Sequence, residues 1–315
     1  MEDFNFYPDK PELEEKKASG GFAVTIFSVI LFAATFLLFF SEEYQFLLNL
    51  LIVLTFHELG HFLLMKRFNY TNVRMLFVPL MGAFVQGSKD EYSQRESLLV
   101  VGAGPFPGVI VGFALLVFAI IYQQPWMLEL SFLFLLLNLI NLIPIDPLDG
   151  GQLLKLFIPI KFDLFLLIFS FLSSLILIAI GLWLETWVLV VIGFFMGVRV
   201  NSLQRNYHIH KDLKRMKVNY FVNYKKLSNK DYLTIKNVLI DYSSTLKKLV
   251  EMMPAEEIDS MMAEQVNSVL VSPVVNDASK VFKFFVLFFW FISLLSCCYL
   301  GYVLIFESSI SEFIN

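Results

Sequence analysis

The sequence has few charged residues and few cysteines, and both shortages exclude classes of protein. Asp, Glu, Lys and Arg make up 17% of the 315 residues, whereas a soluble domain carries roughly a quarter. The net charge of −4 is too small and of the wrong sign for a chain whose main partner is nucleic acid. Cys297 and Cys298 are adjacent, and neighbours in sequence are poorly placed to bridge each other. We interpret them as packing or lipid-facing residues, with palmitoylation as the weaker alternative.

The first 20 residues do not have the pattern of a secretory signal peptide. They are charged and mixed, with Glu12, Lys16 and Lys17 ahead of the first apolar run. A signal peptide instead has a short apolar segment followed by small residues at a cleavage site. We therefore expect residues 1–21 to form a short cytoplasmic tail.

Apolar residues, in contrast, are abundant. They make up 57% of the chain, and the mean hydropathy is +0.68. A water-soluble fold of this length cannot bury so much apolar surface, so lipid must be part of the solvent. A helix crosses the hydrocarbon core, about 30 Å thick, with about 20 apolar residues. Runs of suitable length lie at 22–40, 46–65, 98–121, 128–145, 162–182, 184–199 and 281–306. The sequence predicts an all-α polytopic membrane protein with about seven transmembrane helices, the fifth and sixth forming a hairpin.

The positions of Lys and Arg predict how these spans are oriented, because cytoplasmic loops carry an excess of both. With the N-terminus inside, all 24 Lys and Arg residues fall on the inner side. The predicted outer segments contain none; they are 41–45, 122–127, 183–187 and the tail 307–315. We therefore expect the N-terminus to be cytoplasmic and the C-terminus to be outside.

The hydropathy pattern also divides the chain. We predict a transmembrane core over 22–199, a small helical cytoplasmic region over 200–280 and a C-terminal transmembrane helix over 281–306. His208 and His210 lie in the cytoplasmic region. Residues two apart do not share a helix face, so we expect both imidazoles on the solvated surface.

The second predicted span contains His-Glu-Leu-Gly-His at residues 57–61. Residues four apart on a helix face the same way, so His57 and His61 can bind one metal ion. Glu58 lies beside them and can take a proton from an activated water molecule. Ionisable groups at membrane depth are costly and are functional by default. We interpret these three residues as part of a metal site with its general base.

A catalytic zinc site needs a third protein ligand and an open position. Candidates lie in Asn-Leu-Ile-Pro-Ile-Asp-Pro-Leu-Asp-Gly-Gly, residues 141–151, where Asp146 and Asp149 both supply carboxylates. Two prolines prevent a regular helix here, and Gly150 and Gly151 permit a tight turn. Irregular backbone at membrane depth is tolerated where it is buried in protein or lines a wet cavity. A metal site is therefore expected in this stretch.

The two motifs together resemble those of the site-2 protease family of intramembrane metalloproteases. The second family motif has the form N-x-x-P-x-x-x-L-D-G, and its Asp is the third zinc ligand. The resemblance implies one zinc ion bound by His57, His61 and Asp149, with Glu58 as the catalytic base. Asp146 occupies a position that the motif leaves free. We interpret it as a turn or water-lining residue, with the role of substitute ligand as the alternative.

Further stretches extend the resemblance over about residues 50–155. Residues 78–85 are similar to the family's P-L-G-G-Y-V segment, which implies a small membrane-associated β-hairpin near the active site. We expect this hairpin to bind an extended substrate strand through Gly82, Ala83 and Phe84.

Two asparagine positions complete the comparison. By resemblance, Asn141 is expected to hydrogen-bond to the substrate backbone; equally, its amide could serve only to hold the fourth span against a neighbour. Ala103-Gly104-Pro105 resembles the A-G-P that begins a span in the family. The family has Asn three residues after that Pro, whereas this chain has Gly108.

The resemblance implies hydrolysis of peptide bonds in or beside the lipid bilayer. We expect a single-span transmembrane protein as substrate, no nucleic acid partner, and a role in regulated intramembrane proteolysis. One alternative is a non-proteolytic membrane chaperone or scaffold that retains the protease fold. The presence of all three expected ligands and of Glu58 argues against this alternative. Another is a transporter or channel with a metal site at mid-membrane. Transporters often show inverted repeats and paired broken helices, whereas this sequence has one broken segment and no repeat.

Overall fold

The computed structural model of this chain describes residues 7–13, 21–40, 43–79, 81–158, 163–252 and 254–314. Most of the predicted tail 1–21 lies outside these residues, as does Leu80 in the stretch compared with the family hairpin. Helices make up most of the described chain, and four short or medium strands form two small sheets.

The first part of the described chain is largely helical. Its elements are α1 (Gly21–Phe39), α2 (Tyr44–Arg67), β1 (Thr71–Val78), β2 (Gly82–Ser88), β3 (Tyr92–Ser93), α3 (Gln94–Gly102), α4 (Pro105–Tyr122), α5 (Pro125–Leu142), α6 (Asp149–Phe157), α7 (Asp163–Trp183) and α8 (Trp187–Arg215). A polar region follows, with a 3-10 turn (Tyr224–Lys226), α9 (Asn229–Tyr242), α10 (Ser244–Met252), α11 (Ala255–Val269) and β4 (Val274–Val275). The last helix is α12 (Lys280–Ile314).

Seven helical segments within the described residues are long and apolar enough to cross a membrane. They are α1, α2, the α3–α4 pair, α5, α7, α8 and Lys280–Tyr299 of α12. Many of their large apolar side chains remain exposed, as contact with lipid allows. The prediction of about seven transmembrane helices is confirmed, and α7 and α8 pack along each other as the predicted hairpin.

Two of these helices extend beyond the predicted spans. α8 has no break at residues 199–200, where the cytoplasmic region was expected to begin. Its 29 residues reach roughly 43 Å at about 1.5 Å per residue, so one helix carries the chain from the apolar body into the polar region. α12 likewise continues to Ile314, into the expected tail 307–315.

The antiparallel pair β1–β2 is the small hairpin that the resemblance predicted. β-Branched and aromatic residues are frequent in β1, and these favour strands. Gly82 begins β2 with a φ of 99°, a backbone conformation that glycine adopts without steric cost.

The outer edge of β1 is bonded to α1, and this determines which way β2 faces. Hydroxyl groups of α1 bond the carbonyl of Met75 at 2.7 Å and the amide of Phe77 at 3.1 Å. These hydroxyls belong to Thr25 and Ser28. Met75 and Phe77 therefore turn their backbone groups away from β2. In an antiparallel pair, residues opposite each other either bond to each other or both direct their backbone groups away from each other. Val85 and Ala83, which lie opposite Met75 and Phe77, therefore direct their backbone groups away from β1. The free edge of β2 thus presents the backbone groups of Ala83 and Val85.

The polar region between α8 and α12 has an apolar core of its own. Side chains from the end of α8, the 3-10 turn, α9, α10 and α11 pack together. Ile235, Met262 and Val266 are among its fully buried members. The region is therefore folded and helical, as the sequence predicted.

His210 corrects one prediction. We expected it on the solvated surface, but it is buried, with Nδ1 3.1 Å from Asp163 Oδ2 and Nε2 2.8 Å from the carbonyl oxygen of Val269. Its ring also stacks on Tyr220. The prediction is wrong because α11 and the loop after α8 fold back onto the end of α8, which the local spacing does not reveal. His208 is exposed, as expected.

A second, parallel pair of strands joins the polar region to the apolar body. β3 directly precedes α3, and it pairs with β4, which precedes α12. The carboxylate of Asp277 accepts hydrogen bonds from the hydroxyl of Ser93 at 2.5 Å and from the amide of Arg95 at 3.0 Å. The start of α12 is therefore held at the first turn of α3.

Candidate metal centre

Two histidines lie one turn apart on the same face of α2. His57 and His61 are 2% and 7% exposed, respectively, and their Nε2 atoms are 3.2 Å apart. The four-residue spacing brings the imidazoles together because successive turns of an α-helix stack residues i and i+4. The pair therefore presents two adjacent nitrogen atoms at one point.

Asp149 joins this pair from the first turn of α6. Its Oδ2 lies 3.0 Å from His57 Nε2 and 3.3 Å from His61 Nε2. The side chain of Asp149 is 18% exposed, so the group is open to its surroundings on this side. Among the described residues, these three form a group whose ligand atoms are close enough to hold a metal ion.

The second nitrogen of each imidazole faces a hydrogen-bond acceptor. His57 Nδ1 lies 2.8 Å from Asn138 Oδ1, and His61 Nδ1 lies 2.7 Å from the carbonyl oxygen of Val100. The Asn138 amide is oriented by its Nδ2, which donates to the carbonyl of Phe134 at 2.6 Å. Each Nδ1 therefore carries the proton, and each Nε2 directs a lone pair towards the other ligands.

This arrangement fits a zinc ion. Three electron-pair donors lie within 3.0–3.3 Å of one another, a cluster that a cation among them stabilises. Tetrahedral zinc with bonds of about 2.0–2.1 Å places its ligand atoms roughly 3.3 Å apart, which agrees with these distances. Two imidazoles and one carboxylate also leave a fourth position open, as in catalytic zinc sites.

Glu58 is buried beside the two histidines and is tied to the hairpin. It is 5% exposed, and its carboxylate accepts a hydrogen bond from the backbone amide of Val85 in β2. The free edge of β2 therefore lies directly against the acidic residue of the His-Glu-Leu-Gly-His sequence.

Gly104 lies between α3 and α4 and faces the imidazoles. A Cβ atom at this position would fall 2.8 Å from His57 Nε2 and closer still to His61 Nε2. Only glycine leaves the space between these nitrogen atoms open. This residue is the middle member of the A-G-P sequence.

Asp146 lies in a turn, as one part of our interpretation expected, but it does not line water. It is fully buried, its Oδ1 lies 2.5 Å from Lys155 Nζ, and its Oδ2 accepts a hydrogen bond from Ser170 at 2.6 Å. It does not belong to the group of possible metal ligands. The sequence could not show this environment, because Ser170 comes from α7, which packs here only in the folded chain.

Gly150 and Gly151 also serve a different purpose from the predicted turn. Both lie inside the first turn of α6. A Cβ atom at Gly150 would collide with the carbonyl of Leu142, and one at Gly151 would collide with that of Ile145. The two glycines thus allow α6 to pack directly against the chain that leaves α5, which brings Asp149 to the histidines.

The residues expected to contact substrate lie in two places. Gly82, Ala83 and Phe84 open β2, and Phe84 is exposed. Asn141 lies in the last turn of α5, where its Nδ2 donates to the carbonyl of Leu137 in the same helix at 3.1 Å. This bond lies within α5 rather than between α5 and a neighbour. Substrate contact by these four residues stays a prediction.

Asn138 and Val100 are the contacts of this site that the sequence reasoning missed. A signal was available for Asn138, because an amide inside an apolar span requires a hydrogen-bond partner. No pattern could have revealed Val100, since it contributes a backbone carbonyl.

Comparison with known proteins shows what the region of this site is similar to. Residues 45–132 match the sequence model of Peptidase family M50. The matched residues contain Glu58, both histidines and the hairpin, and they end before Asp149. The predicted resemblance to the site-2 protease family is confirmed.

Two relatives each match about a third of this chain. A zinc metalloprotease of Methanocaldococcus jannaschii is 30% identical over 118 residues, which are 36% of this chain and 34% of the relative. Stage IV sporulation protein FB of Bacillus subtilis is 34% identical over 113 residues, which are 35% of this chain and 39% of the relative. The chain thus spans little more than a third of the length of either. The solved structure of a site-2 protease from Methanocaldococcus jannaschii aligns with a TM-score of 0.44 at 23% identity, covering 56% of this chain and 87% of that one.

Proposed function

We propose that this chain is a zinc-dependent endopeptidase that cleaves membrane-spanning protein substrates. The observation that carries the proposal is the convergence of His57, His61 and Asp149 within 3.0–3.3 Å, next to the buried Glu58. A single zinc ion bound by these three residues would supply Lewis-acid activation of water and of the scissile carbonyl.

Glu58 acts as the general base in this proposal. It takes a proton from the attacking water and later delivers it to the leaving amine. Its burial keeps bulk water away, so that the proton is exchanged between defined groups. The bond from the Val85 amide holds the carboxylate in place and connects it to the strand on which the substrate is expected to lie.

The substrate is expected to arrive unwound. A transmembrane helix already satisfies its own backbone hydrogen bonds, so its amides are protected from hydrolysis. The free edge of β2 offers an alternative partner for an extended segment. Within β2 the backbone groups of Ala83 and Val85 face this edge, whereas those of Phe84 face Leu76 in β1. The structure therefore favours Ala83 as the backbone contact and leaves Phe84 a side-chain contact. Asn141 is proposed as a second backbone contact.

We further propose that the site opens towards the cytoplasm. All 24 Lys and Arg residues lie on one side of the predicted topology. Lys10 of the N-terminal segment donates from Nζ to the carbonyls of Tyr224 and Leu227 at 2.6 and 2.5 Å, which supports the placement of both segments on the same side. His57 lies nine residues before Lys66 in α2, about 13 Å along the helix. The possible metal ligands His57, His61 and Asp149 would then lie towards the inner leaflet.

The deciding experiment replaces the general base. Purified Glu58→Gln protein should retain zinc, lose about 10²–10⁴-fold in cleavage rate, and retain uncut single-span proteins in a pull-down. Glu129→Gln is a matched control, because Glu129 is an exposed acid in α5 and should leave cleavage unchanged. Undiminished cleavage by Glu58→Gln would refute the proposal. A wild-type protein that binds zinc and membrane proteins but cuts none would indicate a chaperone or scaffold.

The role of the hairpin edge has its own test. Ala83→Pro removes the outward amide while leaving the β1–β2 hydrogen bonds, and it should raise KM or slow cleavage without releasing zinc. Ala83→Ser keeps the amide and should behave as wild type. Equal cleavage by the two variants would exclude pairing at this position.

A further inference from the structure

Asn138 is a fully buried amide one turn before the C-terminal end of the apolar helix α5. An amide at this depth is costly unless both its oxygen and its nitrogen are bonded. Its Nδ2 donates to the carbonyl of Phe134 at 2.6 Å, and its Oδ1 lies 2.8 Å from His57 Nδ1. The opposite orientation of the amide would bring two oxygens together at Phe134, so this assignment is determined.

The space for this amide is provided by α4. A Cβ atom at Gly108 would fall 2.5 Å from both Cγ and Oδ1 of Asn138, and closer to Nδ2. Any side chain at 108, including the Asn that the family carries there, is therefore incompatible with Asn138 in its present position. Gly108 and Asn138 form a matched pair across the α4–α5 contact.

We propose that Asn138 is a positioning residue for the metal centre, and that Gly108 is required to admit it. The inference rests on the proposed zinc-dependent function. By accepting the Nδ1 proton of His57, Asn138 holds the imidazole in the tautomer that leaves Nε2 free to bind a metal, and it fixes the orientation of the ring. The Nδ1 of His61 is bonded in the same way to the backbone carbonyl of Val100 at 2.7 Å. Substitution can remove the Asn138 side chain but not a backbone carbonyl, so Asn138 is the acceptor that mutagenesis can test.

The proposal predicts the affinity of the site for zinc. Loss of a hydrogen-bond partner behind a metal-binding histidine typically costs 10–100-fold in metal affinity. Asn138→Ala and Asn138→Leu should therefore raise the zinc dissociation constant about 10–100-fold, measured by chelator competition on the purified full chain in detergent. Asn138→Asp keeps an acceptor for His57 Nδ1 and should bind zinc more tightly than either.

Gly108 makes the test specific. Gly108→Ala should weaken zinc binding in the wild-type background, because the added methyl group displaces the amide. It should have no further effect in Asn138→Ala, where that amide is gone. Ser131→Ala is the control for α4–α5 packing in general: Ser131 is buried and donates to the Gly112 carbonyl at 2.9 Å, without contact to the imidazoles. It should leave zinc affinity unchanged.

The outcomes separate this inference from the proposed function. Wild-type zinc affinity in folded Asn138→Ala and Asn138→Leu would overturn it, and so would an equal loss in Ser131→Ala, which would point to packing alone. Melting temperatures in detergent identify any variant that fails to fold. If Asn138→Ala and Asn138→Leu do not fold, the zinc affinity of Gly108→Ala in the wild-type background decides, and an unchanged affinity there would overturn the inference. A wild-type protein that binds zinc but cleaves nothing would contradict the proposed function, while a zinc affinity that still depends on Asn138 would support the positioning role.

Discussion

The carboxylate of Asp146 and the ammonium group of Lys155 form an ion pair at 2.5 Å inside the protein. Asp146 is completely buried, and the side chain of Lys155 is 17% exposed. The pair links the loop that follows α5 to the second half of α6, and the hydrogen bond from Ser170 extends the link to α7. Since Asp149 lies between the paired residues in sequence, this contact holds the segment that carries a proposed metal ligand.

Removing one member of this pair should destabilise the protein strongly. Asp146→Ala or Lys155→Ala leaves a buried charge without its partner, which typically costs about 3–5 kcal/mol. The double variant Asp146→Leu/Lys155→Met leaves no buried charge and should recover most of the loss. Thermal unfolding in detergent measures all three. Single variants as stable as wild type would show that the pair contributes nothing to stability.

Gly104→Ala should impair zinc binding without unfolding the chain. Its Cβ atom would fall against both Nε2 atoms, and overpacking of this kind costs about 1–3 kcal/mol, which corresponds to about 5- to 150-fold in zinc affinity. Metal analysis and chelator competition provide the measurement. Gly21→Ala serves as the control, because a Cβ atom there meets nothing within 4 Å. Equal zinc affinities in the two variants would contradict the geometry described for Gly104.

His210→Phe should loosen the polar region from the apolar body. Phe preserves the stacking on Tyr220 but leaves the Val269 carbonyl without its hydrogen-bond donor, a loss of about 1–3 kcal/mol for a buried group. Limited proteolysis of the region between α8 and α12 should become faster. The exposed His208→Phe should have no effect. The substitution also removes the contact of His210 with Asp163 at the start of α7. Unchanged proteolysis of His210→Phe would show that the contacts of His210 with Asp163 and Val269 do not hold the region in place.

The contact between Asp277 and the start of α3 should weaken in acid. Partial burial raises the pKa of Asp277, but hydrogen bonds from the Arg95 amide and the Ser93 hydroxyl outweigh it, and the pKa lies below its ordinary value of 3.8. A carboxyl group whose folded pKa is depressed contributes stability above its unfolded pKa and loses it as pH falls through the folded value. Amide exchange in β3 and β4, corrected for intrinsic rates, should therefore increase below about pH 3.8. Asp277→Asn should abolish this acid-dependent increase; a variant that retains it would place the titrating group elsewhere.

Several features of this protein were predictable because they depend on neighbours in the chain. The seven spans follow from runs of apolar residues as long as the bilayer is thick. The histidine pair follows from the four-residue repeat of a helix. The identity of Asp149 as the candidate third ligand came from a recognised motif, since spacing alone left Asp146 as an alternative. The structure brings Asp149, and not Asp146, to the histidines.

Other features required the folded chain. Spacing along the sequence cannot show that Asn138 lies behind His57, because the two are 81 residues apart and meet only where α5 packs beside α2. The same holds for the buried His210, whose carbonyl partner is 59 residues away, and for the direction in which β2 faces, which depends on bonds between β1 and α1.

The sequence by itself determined that the chain crosses a membrane and carries a paired-histidine motif with an adjacent acid, because hydropathy and helical periodicity act over one or a few turns. Only the tertiary structure decided which carboxylate meets the imidazoles, which amide supports them and which strand edge faces Glu58. These depend on side chains from separate helices packed at van der Waals contact, where a single methyl group at Gly104 or Gly108 would change the arrangement.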